Sequence, residues 1–239
     1  MNINLVNVMD EIPIFVAILS FVIMCIGEIL AYYSVSLKYK YEFEAISFGF
    51  IFGVATLILI PKSFFKGFAI PVILGMVIVY LIEKYLAYCP LSKKYCVECN
   101  GLEENLKIKI IYPISFFIHT FIDGLIIAVS YISNIGFPLY LAILMHKLPA
   151  GFVLISPLKG VYKNPLYPGI FVSFGTVLGT IIGLITLKNI SPKVLLAFSG
   201  GVFLGAFLML VPHIYEHKKE KSFLYILLGY ILVGIISLH

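Results

Sequence analysis

The residues able to do chemistry in this chain stand in two short polar interruptions of otherwise apolar sequence. The first is FIHTFIDG at 117–124, carrying His119 and Asp123; the second is LMHKLPAGF at 144–152, carrying His146 and Lys147. His119 and Asp123 are four residues apart, so on a helix they share one face, one turn from each other. A charge at the centre of a hydrocarbon layer costs roughly 2.5–3.5 kcal/mol even on insertion scales. Ionisable clusters on consecutive spans therefore need to meet, or to line a wet cavity. Neutral imidazole and carboxylate are ligands of zinc-like ions, so two histidines and an aspartate on facing helices make a feasible open metal site. Taken singly, each histidine reads better as a hydrogen-bonded interior residue. The ensemble points to a site.

The elements that hold these residues are membrane spans. The chain is 61% hydrophobic and 12% charged, with a mean hydropathy of +1.06, whereas a soluble domain carries about 25% charged residues. A helix needs about 20 apolar residues to cross a hydrocarbon core of roughly 30 Å. Eight segments qualify, at 13–35, 44–61, 67–88, 109–132, 138–156, 168–187, 194–212 and 222–238. The second is among the shortest, and a re-entrant segment is its alternative. One polytopic transmembrane domain over 1–239 is expected. The opening MNINLVNVMDEIP is acidic and lacks a basic stretch and a small-residue cleavage site, so the first helix is expected to be retained. Pro149 has no N–H to donate to Met145, which leaves a carbonyl free to line a cavity or accept a polar partner.

All 17 basic residues are lysine, so no arginine clamp for phosphate or nucleic acid exists. Trp is absent and Tyr must form most of any interfacial belt. With the N-terminus outside, twelve lysines fall in inner loops and four in outer ones. That bias predicts both termini outside, in the cell membrane.

Four further features carry expectations. Glu28, in CIGEILAY near the inner end of the first span, reads as an interior group that pairs or snorkels, or as a partly solvated end-of-helix carboxylate. Cys25, one turn earlier, reads as a small buried residue. The second and seventh spans look alike, with Gly49 twelve residues before Pro61 and Gly200 twelve before Pro212. This suggests that spans 1–3 recur as an inverted repeat in spans 6–8, around spans 4 and 5; chance similarity of apolar sequence is the alternative. Gly175, Gly179 and Gly183 form a stripe that lets helices approach closely, and packing is the reading adopted. The one long loop, about 89–107, holds Cys89, Cys96 and Cys99. Placed inside, these thiols stay reduced. They supply three soft ligands for a zinc-like ion, with His217 as a fourth, or they are incidental.

At HTFIDG and HKLPAG the chain resembles the Zrt/Irt-like (ZIP) family of divalent-metal transporters. His119, Asp123 and Gly124 match that family's HNFxDG pattern with Thr120 in place of Asn, and His146, Pro149 and Gly151 match its HNxPEG pattern. GGVFLGAFLMLVP and FGFIFGVATLILIP resemble its helices 7 and 2. The resemblance implies an all-α membrane protein of eight transmembrane helices with both termini outside and a variable loop between helices 3 and 4. It also implies transport of a divalent cation, with no permanent cofactor. The departures fall in the site. Ala150 stands where the family has a metal-binding Glu, Lys147 where a second ion would bind, and Pro61-Lys62 and Pro212-His213 where the family has Pro-Glu. The ligands that remain are His119, Asp123 and His146, with Glu28 as a further candidate. Lys147 stands in for the second cation and holds Asp123 ionised, while Glu28 is its second candidate partner.

The leading expectation is a transporter, with zinc ahead of iron or manganese because two imidazoles suit it. The ion enters between spans 4 and 5 and leaves toward the cysteine loop. A relative that keeps the fold and acts as a sensor or structural subunit is the first alternative. An intramembrane metal-dependent hydrolase, with Glu28 as its one available base, is the second. Expected partners are the metal ion and the lipid bilayer, with no nucleic acid; a homodimer is left open.

Overall fold

The computed structural model describes residues 5–33, 40–85, 107–159, 161–217 and 221–237. Among them are eight helices. α1 is Leu5–Tyr32; α2 is Lys40–Gly53, running on through one π-helical stretch, Val54–Leu59, into Ile60–Lys62; α3 is Ala69–Tyr85. α4 is Tyr112–Ile132, entered through a π-helical Lys107–Ile111, and α5 is Phe137–Leu158. α6 is Leu166–Thr186, α7 Pro192–His217 and α8 Ser222–Ser237. Six of these contain stretches long and apolar enough to cross a membrane, whereas Ala69–Ile82 in α3 and Ser222–Ser237 are shorter apolar helices. No strand occurs among the described residues. Helices are what such sequence must form in lipid, where every backbone N–H and C=O has to be satisfied within the segment. The second span is a continuous helix, and the re-entrant alternative is set aside.

Close approach of backbones at glycine fixes how the helices pair. α4 and α6 meet where Gly124 lies against Thr176 and Gly179, and α1 and α5 meet where Gly27 lies on Leu148 and Gly151 on Met24. α2 and α8 close through Gly49 on Ile226 and Gly229 on Ile46, and α3 and α7 through Gly75 on Phe198 and Gly201 on Val72. At each of these positions a Cβ would run into the neighbouring backbone, so no other residue allows the contact. The glycine stripe of α6 therefore does the packing expected of it. Between the pairs lies one apolar core that includes Phe50, Val54, Leu59, Ile127, Leu139 and Ile143. Outward faces carry exposed Phe15, Ile70, Phe171 and Ile185, as a lipid-facing surface requires.

The α4–α5 connection sets the depth of the site. Asn134 and Gly136 take left-handed conformations, and the amides of Ile135 and Gly136 donate back to the Ser130 carbonyl at 3.1 and 3.4 Å. A turn this short makes the two helices antiparallel neighbours. Asp123 lies nine residues before the end of α4 and His146 nine residues after the start of α5. Equal distances from one tight turn bring the two residues to one level.

Candidate metal centre

Residues of two helices, α4 and α5, converge on one carboxylate oxygen. The Oδ2 of Asp123 lies 3.6 Å from His119 Nε2, 3.2 Å from His146 Nε2 and 2.7 Å from Lys147 Nζ. Lys147 also donates to Thr176 Oγ1 at 3.0 Å, which ties α5 to α6. Potential ligand atoms of His119, Asp123 and His146 all lie within 4.8 Å of one another. The side chains of Asp123 and His146 are 4% and 7% exposed, and that of Lys147 is fully buried. The His119 side chain is 41% exposed, so the cluster opens on its side.

The tautomer of His146 follows from its partners. Its Nδ1 is 2.9 Å from the carbonyl of Ala142, which can only accept, so Nδ1 carries the hydrogen. Nε2 then faces Asp123 Oδ2 across 3.2 Å. Two acceptors at that distance need a proton or a cation between them or beside them. A hydrogen-bonded outer nitrogen with the inner one turned to a carboxylate is how metal-binding imidazoles are oriented.

Hydrogen bonds between helices keep this geometry. Thr120, which replaces the family's Asn, donates to the Val172 carbonyl of α6 at 2.7 Å and does not face the cluster ligands. Thr180 donates to the Gly124 carbonyl at 3.1 Å. The carbonyl that Pro149 frees, that of Met145, accepts from Ser47 of α2 at 3.2 Å, one of the two roles expected for it.

The sequence expectations divide here. His119, Asp123, His146 and Lys147 come together, and Lys147 takes Asp123 as its partner in preference to Glu28. Glu28 does not join the cluster. It is fully buried on α1, against Gly169, and accepts from Ser173 of α6. It is therefore not a partly solvated end-of-helix group. Cys89, Cys96 and Cys99 lie outside the described residues. Thr176 was missed. Its signal was the recurrence of Ser173, Thr176 and Thr180 three and four residues apart, which puts a polar edge beside the glycines of α6.

Helices of this length and apolarity, folded around a buried polar cluster, define a multi-pass membrane protein with an intramembrane polar centre. The model of the ZIP zinc transporter family matches residues 100–237. This chain belongs to that family, whose members transport divalent metals and are not enzymes. It is 86% identical over 231 residues to the uncharacterized protein MJ1036 of Methanocaldococcus jannaschii, an alignment covering 97% of this chain and 99% of that one.

Proposed function

We propose that the chain carries zinc across the cell membrane through a single-ion site made by His119, Asp123 and His146, with Lys147 as a fixed counter-charge. The observation that carries this is the pairing of His146 Nε2 with Asp123 Oδ2, oriented from behind by Ala142. Two imidazoles and one carboxylate leave a fourth position open, as an ion in transit needs. Lys147 donates to Asp123 Oδ2 and on this reading takes the place of a second ion. Zinc is favoured over manganese or magnesium by the nitrogen donors.

The packing also supports an inverted repeat. Exchanging α1 with α6, α2 with α7, α3 with α8 and α4 with α5 turns the α3–α7 pair into α8–α2 and the α1–α5 pair into α6–α4. The same exchange matches Gly49 with Gly201, since one rests on Ile226 and the other on Val72. Gly49 stands twelve residues before Pro61, but Gly201 stands eleven before Pro212. The π-helical stretch Val54–Leu59 of α2 absorbs that one extra residue. Such a repeat lets two halves rock about a fixed site, with both termini outside and the ion released toward the inner loops.

Zinc uptake into vesicles containing the purified protein tests the proposal. Wild type accumulates zinc, and the His119→Ala, His146→Ala double variant does not. A second reading, a sensor that binds metal without moving it, is favoured by Ala150 in place of a ligand carboxylate. Binding without uptake in wild type would select it.

A further inference from the structure

The first helix carries a second buried carboxylate that the cluster does not use. Glu28 is fully buried, and only one of its oxygens is satisfied: Ser173 Oγ donates to Oε1, while Oε2 has no hydrogen-bond partner among the described residues. Oε2 points into the notch left by Gly169, where a Cβ would lie 2.7 Å from it. Ionised, this oxygen lacks a donor; protonated, it lacks an acceptor for its hydrogen. In either state a buried polar atom is left wanting, and a cation satisfies it. Lys147, the one buried lysine among the described residues, is already held by Asp123 and Thr176.

A third donor is at hand. Cys25 stands one turn before Glu28 on the same face of α1, half-buried, with its thiol beside the Ser173 hydroxyl. Thiol, hydroxyl and carboxylate thus line one gap between α1 and α6. That gap is close to the cluster: Ser173 is three residues from Thr176 on α6, about 4.5 Å along the axis at 1.5 Å per residue. Gly151, whose backbone packs against Glu28, is four residues from Lys147 on α5. In both helices the displacement is toward the α5–α6 connection.

We infer that Glu28, Ser173 and Cys25 form a second station for a divalent cation, one helical turn from the His119–Asp123–His146 cluster on the side of the α5–α6 connection. Its thiolate is a soft ligand, so the station favours zinc or cadmium over magnesium. Its place on a route through the membrane rests on the transport reading; its ability to bind an ion does not.

Cadmium titration of the detergent-solubilised protein tests the station. The loop residues Cys89, Cys96 and Cys99 are replaced by serine so that Cys25 is the sole thiol. This protein binds one ion at each position and develops thiolate-to-cadmium absorption. Glu28→Gln and Cys25→Ser each weaken one of the two ions at least about tenfold and remove the absorption. Asp123→Asn loses the other ion and retains the absorption. Ser173→Ala leaves the carboxylate in place and weakens the same ion as Glu28→Gln, which keeps the test available should the latter fold poorly. Equal binding and undiminished absorption in wild type, Glu28→Gln and Ser173→Ala would overturn the station. Failure of Asp123→Asn to lose an ion would instead count against the cluster, with the station intact.

Discussion

Asp123 and Glu28 are two carboxylates buried one helical turn apart in depth, and their surroundings are opposite. Asp123 has an ammonium at 2.7 Å and two imidazoles at 3.2 and 3.6 Å, all on one oxygen. Among the described residues Glu28 has a single hydroxyl donor and no cation. The first is held in place by its own protein; the second is not. The difference teaches where charge balance is built into the fold and where it has been left to something that comes and goes. A charge that must stay ionised to position two imidazoles needs a permanent partner. A carboxylate that receives and releases an ion cannot have one.

Breaking the built-in balance is expected to have the largest effect. Lys147→Ala removes the ammonium and leaves Asp123 buried without its counter-charge, which costs about 3–5 kcal/mol in the metal-free protein. The same change clears space for a second ion, so zinc bound per chain rises and zinc recovers part of the lost stability. Lys147→Glu adds a carboxylate and binds zinc more strongly still. Thermal unfolding with and without zinc, beside calorimetric titration, checks both signs. If wild type and both variants bind zinc equally, Lys147 is a structural partner alone.

Neutralising each carboxylate sharpens the contrast. Asp123→Asn keeps an acceptor for Lys147 but removes its counter-charge, and lowers metal-free stability by about 1.5–3 kcal/mol, the range for hydrogen bonds to charged groups. Glu28→Gln removes a carboxylate that no cation among the described residues offsets, and its amide oxygen still accepts from Ser173. Its metal-free stability stays within about 1 kcal/mol of wild type. Unfolding midpoints of the two variants, compared without metal, test this. Equal losses would mean that the two carboxylates are equally balanced after all.

The smallest effect is expected at Thr176. Thr176→Val keeps the shape and removes the hydroxyl that accepts from Lys147, costing about 0.5–1.5 kcal/mol. With that tether gone the ammonium has only Asp123, so zinc affinity shifts while the ligands are untouched. Calorimetry resolves such a change, and an unaltered isotherm would show that Thr176 serves packing only.

Much of this was legible in the chain. Apolar length and low charge imply a helical membrane protein, because lipid leaves few other structures open to the backbone. Charge cost marks His119, Asp123, His146 and Lys147, because ionisable residues survive in apolar segments only with partners. Equal spacing from the short turn at 133–136 makes Asp123 and His146 meet. Identity and spacing alone determined these points. The partner of Lys147, the isolation of Glu28 and the role of Thr176 did not follow from spacing. They depend on which helices lie side by side, and that is decided by backbone contact at Gly124, Gly179, Gly27 and Gly151. In the proposed repeat Gly49 is matched by Gly201, which rests on Val72, and not by Gly200, which counting back from the proline selects. A π-helical turn adds a residue without changing the face that packs, and only the folded helix reveals where it sits.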